Sequence, residues 1–483
     1  MGLFYVNGDC GSGKTLALLK WVASHPGLYV IALNKIELFG EHQATLDAYA
    51  GAKPIRVFAI NSKDGVQKAS VGERITKQIQ DINKLNLLNC VVFITHEALF
   101  RVDWARTDLE AHRWRLFIDE SPSPWSYIER RFEVSWDCVH QFITPQATAN
   151  QDDYIPVQLT DKGEALRQSR HDPLKEVLND YLNGTRLGKY AYANRSFFNP
   201  DGNQSTTLSL FSIIDPQVLA AFGEATILSA NFKETFAHLI WSKMSINFMP
   251  HPDLVVSRHR AVPLGSRIRI HYFSERVASL NWFNSDANPM KVAGEWLNEN
   301  IKVPHYYAVN HGKVGGRRFN QITNPLALQI EPIAMGSNKL NEMTAAAWLV
   351  SLKGKPHEYT IIKELFGITR EQFDRARELE PLYQFALRSN LRDFESTSPV
   401  DIYVVSKVQA DFLKSITGAR HCEWVGTELP EPAQAIDANA KPPGRPKKYK
   451  STDDAKDAQR QRDREYRQRK RIQQRQLPQK EAA

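Results

Sequence analysis

A glycine-rich segment near the start of the chain has the spacing of a phosphate-binding loop. Residues 8–15 read GDCGSGKT, which fits the pattern G-x-x-x-x-G-K-T. Glycines let backbone N–H groups approach phosphate oxygens closely, the lysine charge reaches the β- and γ-phosphates, and the threonine hydroxyl binds Mg²⁺. The residues that this pattern assigns to a bound triphosphate are Gly8, Gly11, Ser12, Gly13, Lys14 and Thr15. The segment therefore predicts an ATPase or GTPase site that also binds Mg²⁺, with Lys14 as a catalytic cation and Thr15 as a metal ligand.

Two adjacent carboxylates further along the chain could complete such a site. Asp119 and Glu120 directly follow the β-rich run 115–118. In ATPases with this loop, an aspartate at a strand end holds Mg²⁺, and the neighbouring glutamate polarises the water that attacks the γ-phosphate. Most Asp-Glu pairs are solvated loop carboxylates, but this pair closes a buried strand. We therefore predict Asp119 as a metal ligand and Glu120 as a catalytic base.

Strand-forming and helix-forming segments alternate around these groups. The apolar runs typical of buried strands are residues 3–6, 28–33, 55–60 and 90–94. Their alternation with helical stretches predicts an α/β fold with a doubly wound parallel sheet. The carboxyl edge of that sheet would bring the glycine-rich loop and the two carboxylates together. Later runs at 268–273, 305–309 and 401–405 predict the strands of a second domain.

Length and charge limit the classes of protein to consider. The chain has 483 residues and a formal net charge of +8, and a chain beyond roughly 250–300 residues usually forms more than one domain. Residues 441–483 hold 15 lysines and arginines against 6 acidic residues, so the excess charge lies in this segment. This asymmetry predicts a polyanionic partner, with nucleic acid favoured over a membrane surface.

Cysteine usage and hydropathy predict where the protein acts. The four cysteines are widely separated and form no C-x-x-C pair, so they indicate neither a zinc site nor a disulfide framework. No apolar stretch reaches the roughly 20 residues that span a bilayer. We expect a protein of the reducing cytoplasm, with no membrane partner.

The order of these segments resembles that of superfamily 2 helicases of the DEAD/DEAH-like group, of phage or plasmid type. Residues 119–122 (DESP) take the place of the DEAD/DEAH box, 33–35 (LNK) that of motif Ia, and 95–99 (THEAL) resemble a segment often found before the box. Residues 227–231 (ILSAN) resemble the S-A-T motif, with asparagine in place of threonine.

The resemblance implies roles for these positions. The residues that it assigns to nucleic-acid binding are Asn34, Lys35, Thr95 and His96, and those that it assigns to coupling between ATP and nucleic acid are Ser229, Ala230 and Asn231. Two of them have structural alternatives. His96 could be a core histidine bonded to a carbonyl, and Ser229 could cap the next helix.

Three polar residues in the second half have the spacing of a helix face. Gln384, Arg388 and Arg392 stand at i, i+4 and i+8. They resemble motif VI, whose arginines reach the γ-phosphate across the cleft between domains, so the resemblance implies that all three are catalytic. Leu387 replaces the usual glycine, and the second arginine comes one residue late. Either arginine could be the finger; the alternative is a solvated face of ion pairs. Asn338, in residues 336–338 (GSN), takes the place of motif V, which contacts nucleic acid; alone it is an ordinary turn.

Roughly a hundred residues separate the acidic pair from the S-A-N segment, and they predict an insertion at about 125–215. The aromatic residues scattered through it include Trp125, Tyr127, Trp136, Tyr190, Tyr192, Phe197 and Phe198. They could stack on the bases of a single strand. Formation of a small subdomain core is the favoured interpretation.

The C-terminal segment has a nucleic-acid-binding composition. Residues 444–446 (GRP), followed by two lysines, resemble the centre of an AT-hook, which places an arginine in the minor groove of A·T tracts. Arg445, Lys447 and Lys448 are therefore predicted to bind nucleic acid. This segment favours DNA over RNA.

We therefore predict two tandem RecA-like P-loop domains, an inserted subdomain and a basic tail that is disordered or helical. The predicted segments are 1–235 (first domain), 236–425 (second domain with an arginine-finger helix), 426–442 (linker) and 443–483 (tail). The predicted function is an ATP-dependent helicase or translocase in phage or plasmid replication or recombination, whose proteins would be further partners. Two alternatives stay open: a terminase-like DNA-packaging ATPase, and a DNA-binding regulator that uses ATP as a switch without unwinding.

Overall fold

A seven-stranded parallel sheet forms the first lobe in the computed structural model. Strands and helices are numbered along the whole chain. The strands of this first sheet are β1 (Gly2–Asn7), β2 (Leu28–Leu33), β3 (Arg56–Ala59), β4 (Cys90–Thr95), β5 (Arg115–Asp119), β11 (Glu224–Ser229) and β12 (Met249–Pro250). Their order is β12-β1-β11-β5-β2-β4-β3. Every residue of the central strand β2 is buried, because helices cover both faces of the sheet.

The helices of the first lobe are α1 (Lys14–Ser24), α2 (Leu38–Ala50), α3 (Val71–Lys84), α4 (His96–Leu99) and α7 (Phe236–Lys243). Helix α3 shows why these segments fold as they do. Ser70 and Glu73 form a capping box at its start, and Ile75, Ile79 and Ile82 place an apolar stripe against the sheet.

The predicted insertion forms a five-stranded antiparallel sheet between β5 and β11. The strands of this inserted sheet are β6 (Trp125–Arg131), β7 (Ile143–Pro145), β8 (Tyr154–Leu159), β9 (Lys189–Asn194) and β10 (Thr207–Ile214), and its helices are α5 (Asp161–Gln168) and α6 (Pro173–Gly184). Alternate residues of β10 face opposite sides. Leu208 and Leu210 pack on α6 and its neighbours, whereas Phe211 and Ile213 join the core of the first lobe.

Most of the aromatic residues of the insertion belong to a packed core. Phe197 and Phe198 are buried, and Trp125, Tyr127 and Tyr192 pack against the first core. Tyr190 is exposed. The core interpretation therefore fits these residues; Trp136 lies outside the described residues.

The second lobe has a six-stranded parallel sheet. The strands of this second sheet are β13 (Ile268–Ser274), β14 (His305–Val309), β15 (Ala327–Gln329), β16 (Ala345–Leu349), β17 (Val400–Ser406) and β18 (His421–Trp424), in the order β15-β14-β16-β17-β13-β18. Its helices are α8 (Leu264–Arg267), α9 (Leu280–Phe283), α10 (Pro289–Asn300), α11 (Pro356–Phe366), α12 (Arg370–Asp374), α13 (Glu380–Ala386) and α14 (Lys407–Thr417). Strand β16 is fully buried.

The predicted boundary at 235 needs a correction. Helix α7 packs its Ile240 and Trp241 into the first core, and β12 pairs with β1. The first sheet therefore extends to Pro250, because the strand that completes its edge comes after α7.

The structure describes residues 2–51, 54–62, 69–107, 109, 113–132, 139–147, 153–169, 172–186, 188–198, 206–254, 256, 259–310, 322–333 and 340–432. By its contacts the chain as far as Pro430 is one unit. Predictions for Asn338, Arg445, Lys447 and Lys448 fall outside the described residues. No helix within the described ranges is both long and apolar enough to cross a bilayer.

Candidate functional site

The glycine-rich loop connects β1 to α1 and places Lys14 at its centre. Gly11 and Gly13 have φ values of 80° and 85°, a region that favours glycine. The Lys14 Nζ donates hydrogen bonds to the carbonyl oxygens of Gly8, at 2.7 Å, and Asp9, at 2.9 Å. The lysine therefore folds back over the loop, and helix α1 begins at the same residue, with its positive dipole end toward the loop.

Thr15 and Asp119 meet beside this loop, as the sequence predicts. The Thr15 Oγ1 donates at 3.0 Å to each carboxylate oxygen of Asp119. Asp119 is buried at the end of β5, and this burial raises its pKa against the opposing effect of the Thr15 hydrogen bond. A hydroxyl and a carboxylate are hard oxygen ligands, so this pair fits Mg²⁺.

Glu120 lies next to this pair in an unusual backbone conformation. Its φ is 69°, in the left-handed region, where non-glycine residues are uncommon and often functional. The Asn34 Nδ2 donates to its Oε2 at 2.5 Å, which fixes the carboxylate at the edge of the sheet. Burial, reinforced by the neighbouring charge of Asp119, raises the pKa of Glu120 to about 7.

The predicted arginine helix is wrong in its secondary structure. Helix α13 ends at Ala386, Arg388 lies in the following turn, and Arg392 ends a short 3₁₀ segment. Ser389 caps that segment by accepting a hydrogen bond from the Leu391 N–H, which favours the turn over a continued helix.

Gln384, Arg388 and Arg392 nevertheless face a cavity that the first lobe also lines. This cavity has a volume of about 670 Å³, within the range of about 300–1,000 Å³ of small-molecule pockets. Its lining from the first lobe includes Gly11, Gly13, Lys14, Thr15, Asn34, Asp119, Glu120, Ser229 and Ala230. The loop, the carboxylates and the arginines therefore face one crevice.

Arg388 carries an unpaired group inside this crevice. The residue is only 6% exposed, and its Nη1 has no hydrogen-bond partner within the described ranges. Burial lowers the pKa of Arg388, against the opposing effect of the Glu120 charge. A buried guanidinium nitrogen without a hydrogen-bond partner is costly, so the site favours an anionic ligand beside the glycine-rich loop.

Gln384 has a different set of contacts. Its Nε2 donates to the Oε1 of Glu380 at 2.6 Å. Burial raises the pKa of Glu380 to about 7, and the amide hydrogen bond opposes that shift. Gln384, which lines the cavity, is therefore hydrogen-bonded to a second buried carboxyl group, that of Glu380.

Contacts that the sequence did not predict join the loop to the second lobe. The Asp9 carboxylate accepts hydrogen bonds from the Tyr383 hydroxyl, at 3.2 Å, and from the Arg260 Nε, at 3.4 Å. A Cβ added at Gly11 would lie 2.5 Å from the Arg392 Cγ. No local pattern marks Asp9, Tyr383 or Arg260, because their roles depend on how the two lobes meet.

The remaining predicted residues are His96, Thr95 and Lys35, which the resemblance assigns to nucleic-acid binding, and the S-A-N segment. His96 fits its structural alternative: its Nε2 lies 2.9 Å from the Asp119 carbonyl oxygen, and burial lowers its pKa to about 4. Thr95 caps α4 by accepting from the Ala98 N–H. Lys35 is exposed at the end of β2.

The S-A-N segment lies at the cavity wall. The Ser229 Oγ donates to the Ala230 carbonyl, and Thr235, not Ser229, caps α7. Asn231 takes the left-handed conformation at φ 48°. The helix-cap alternative for Ser229 is therefore wrong.

No known protein family and no curated protein matches the sequence. Among solved structures, an XPD helicase superposes with a TM-score of 0.50 and 12% identity, over 87% of this chain and 96% of that one. A DEAD box protein from the hyperthermophile Methanococcus jannaschii has 10% identity over 88% of each chain, with a TM-score of 0.29. The chain, with two parallel sheets flanked by helices, has a tandem RecA-like α/β fold that resembles the fold of the XPD helicase structure.

Proposed function

We propose that the protein is an ATP-driven helicase or translocase that acts on nucleic acid. The observation that carries this proposal is one cavity shared by the two lobes, which we call the ATP cavity. Lys14 and Thr15 line it from one lobe, and the buried Arg388 lines it from the other. Such a pairing makes hydrolysis depend on how the lobes meet.

In this proposal, each side chain around a bound triphosphate has a task. Lys14 would exchange its two carbonyl partners for phosphate oxygens, and Glu120 would accept a proton from the attacking water. Arg388 would stabilise the charge that develops on the transferred phosphoryl group. Thr15 and Asp119 would hold Mg²⁺, which supplies charge neutralisation at the phosphates when bound.

A second cavity supports nucleic acid as the partner. It has a volume of about 360 Å³ and lies between α4 and the inserted sheet. We call it the cationic groove, after Arg101, Arg186 and Lys189 in its lining. Burial, with smaller effects from the other two cations, lowers the pKa of Lys189 to about 8.

Arg186 shares this electrostatic situation. Burial lowers its pKa to about 10, and the nearby charges of Arg101 and Arg167 add to the shift. Its guanidinium donates to the Phe100 carbonyl, while Arg101 pairs with Glu97. Cations that repel one another and are partly dehydrated are stabilised by a polyanion. The phosphodiester backbone of a nucleic acid has the required charge. The composition of residues 443–483 favours DNA as that nucleic acid.

ATP turnover in the presence of different nucleic acids tests the proposal. We expect single-stranded DNA to stimulate hydrolysis more than RNA, and Lys14→Ala to abolish the stimulated rate. Lys20→Ala, at an exposed position of the same helix, is the matched control and should turn over ATP like the wild type. Normal turnover by the Lys14→Ala variant would contradict the assignment.

Two alternatives give different outcomes in the same preparation. Turnover without strand displacement or translocation would favour an ATP-switched DNA-binding regulator. Packaging of duplex DNA would favour a terminase-like ATPase, although Arg388 of the second lobe fits a second motor lobe better.

Deletion of residues 441–483 should weaken DNA binding and its salt dependence and leave basal turnover intact. A role in phage or plasmid replication or recombination belongs to the same proposal.

A further inference from the structure

Two histidines and a glutamate converge on one face of the second sheet, outside the ATP cavity. His421 and Glu423 are alternate residues of the edge strand β18, so their side chains share a face. The parallel register pairs His271 of β13 directly with Glu423. None of the three lines the ATP cavity or the cationic groove.

Two of the distances within this group match the spacing of ligands around a metal. The Glu423 Oε1 lies 3.2 Å from the His271 Nδ1 and 3.1 Å from the His421 Nε2. One ligand atom from each residue lies within 4.8 Å of the others. Zn²⁺ binds such atoms at about 2.0–2.2 Å, which places two ligands of a tetrahedral site about 3.3 Å apart.

The carboxylate of Asp401 orients His271, the more buried of the two histidines. The His271 Nε2 lies 2.8 Å from the Asp401 Oδ1, and the Arg269 Nε donates to the same carboxylate at 2.7 Å. The His271 side chain is only 13% exposed, so its ring is fixed with Nδ1 toward Glu423. Metal-binding histidines commonly use their second nitrogen in this way, which sets the tautomer and raises the basicity of the ligand.

We propose that His271, His421 and Glu423 bind Zn²⁺, with Asp401 as the positioning residue. Three protein ligands leave a fourth position for water or an exchangeable group. Because the ligands come from β13 and β18, the metal joins the four-residue edge strand to the body of the second sheet. The site thereby stabilises the last strand before the C-terminal segment.

Metal titration of the full-length, chelator-treated protein tests this site. We expect one Zn²⁺ per chain by calorimetry without nucleotide, a visible Co²⁺ spectrum of tetrahedral type, and a higher melting temperature with Zn²⁺. His421→Ala and Glu423→Gln should remove all three signals. His25→Ala, at an exposed histidine of the first lobe, is the matched control and should keep them.

The positioning role of Asp401 has its own readout. Asp401→Asn should weaken Zn²⁺ binding by roughly ten- to a hundredfold and keep the one-to-one stoichiometry. Absence of Zn²⁺ binding by the wild type would overturn the proposal, since the group would then be a polar cluster that holds no metal. Unchanged affinity in folded His421→Ala and Glu423→Gln variants, with circular dichroism as the check on folding, would overturn it as well.

Discussion

The two lobes contact each other in two regions of opposite character. At the ATP cavity, charged side chains from both lobes line the same crevice. In the other region, α11, α12 and the residues between them bury apolar side chains in the core of the first lobe. The residues that do so are Ile361, Ile362, Ile368 and Phe373.

Phe373 is the centre of this apolar contact. Its ring lies 5.1 Å from that of Phe236 and 5.7 Å from that of Trp125, at tilted or edge-on angles. Arg377 stacks its guanidinium over Trp125 at 5.4 Å. This region therefore links the first lobe, the inserted sheet and the second half through packed rings.

The difference shows which contact can respond to a ligand. Apolar burial is favourable without any bound molecule, so the α11–α12 contact needs no ligand to hold the lobes together. The cavity carries a buried cation whose Nη1 lacks a partner in the described part of the chain, and an anion would stabilise it. We infer that ATP-dependent movement occurs at the cavity, with the α11–α12 contact as its anchor.

Loss of the cavity arginine should have the largest effect and separate catalysis from stability. Arg388→Ala should lower kcat for ATP by about a thousandfold, the lower end of the range for such arginines. Its melting temperature should not fall, because the variant removes a poorly paired buried cation. Single-turnover kinetics and thermal unfolding measure the two effects, and exposed Arg420→Ala is the control. A large loss of stability with unchanged kcat would contradict a catalytic role for Arg388 and indicate a structural one.

Loss of the anchoring ring should do the opposite. Phe373→Ala should destabilise the protein by about 3–5 kcal/mol, because it removes a fully buried aromatic side chain and leaves a cavity. Basal ATP turnover should persist at temperatures where the variant is folded. Urea unfolding checks the stability, and Phe373→Leu should recover most of it. Loss of turnover in a fully folded variant would argue against a purely anchoring role.

The cationic groove should give a moderate effect that depends on salt and pH. Lys189→Met should weaken DNA binding and reduce its salt slope by about 1. Because the pKa of Lys189 is lowered to about 8, its charge is present below that pH and lost above it. Wild-type affinity should therefore fall as the pH rises through about 8, and the variant should show less of this change. Fluorescence anisotropy measures both, with exposed Lys162→Met as the control.

The smallest effect should come from an ion pair at the edge of the anchor. The Lys355 Nζ donates to the Glu129 Oε2 at 2.6 Å, and this hydrogen bond lowers the pKa of Glu129. Lys355 is 59% exposed, so Lys355→Ala should cost no more than about 1 kcal/mol. The stabilisation by this ion pair is fully present at a pH above the ordinary glutamate pKa. It is lost as the pH falls through the lowered pKa of Glu129. Urea unfolding at neutral and acidic pH checks this sign.

Features encoded by neighbouring residues were predictable from the sequence. The glycine-rich loop needs its own glycines and Lys14, and Asp119 and Glu120 directly follow a buried strand. Both features lie where their patterns indicate. The sequence does not predict strand β16, because Ala-Ala-Ala-Trp-Leu lacks the β-branched residues that are typical of strands. The segment forms a strand nevertheless, because burial overrides its weak intrinsic preference for this conformation.

Features that depend on distant contacts were not predictable. The spacing of Gln384, Arg388 and Arg392 fits a helix, but the Ser389 cap and the Tyr306 hydroxyl, which donates to the Phe385 carbonyl, favour a turn. The group of His271, His421 and Glu423 depends on the register between β13 and β18. No spacing rule connects residues that far apart in the sequence.

Gly11 has a consequence for protein engineering. Its backbone lies in the left-handed region, and Arg392 of the opposite lobe occupies the space where a side chain would begin. A methyl group at this position would therefore disturb the loop and push the two halves apart at once. Anyone who wishes to uncouple nucleotide capture from closure of the molecule should start by trimming Arg392 and leave the glycine untouched.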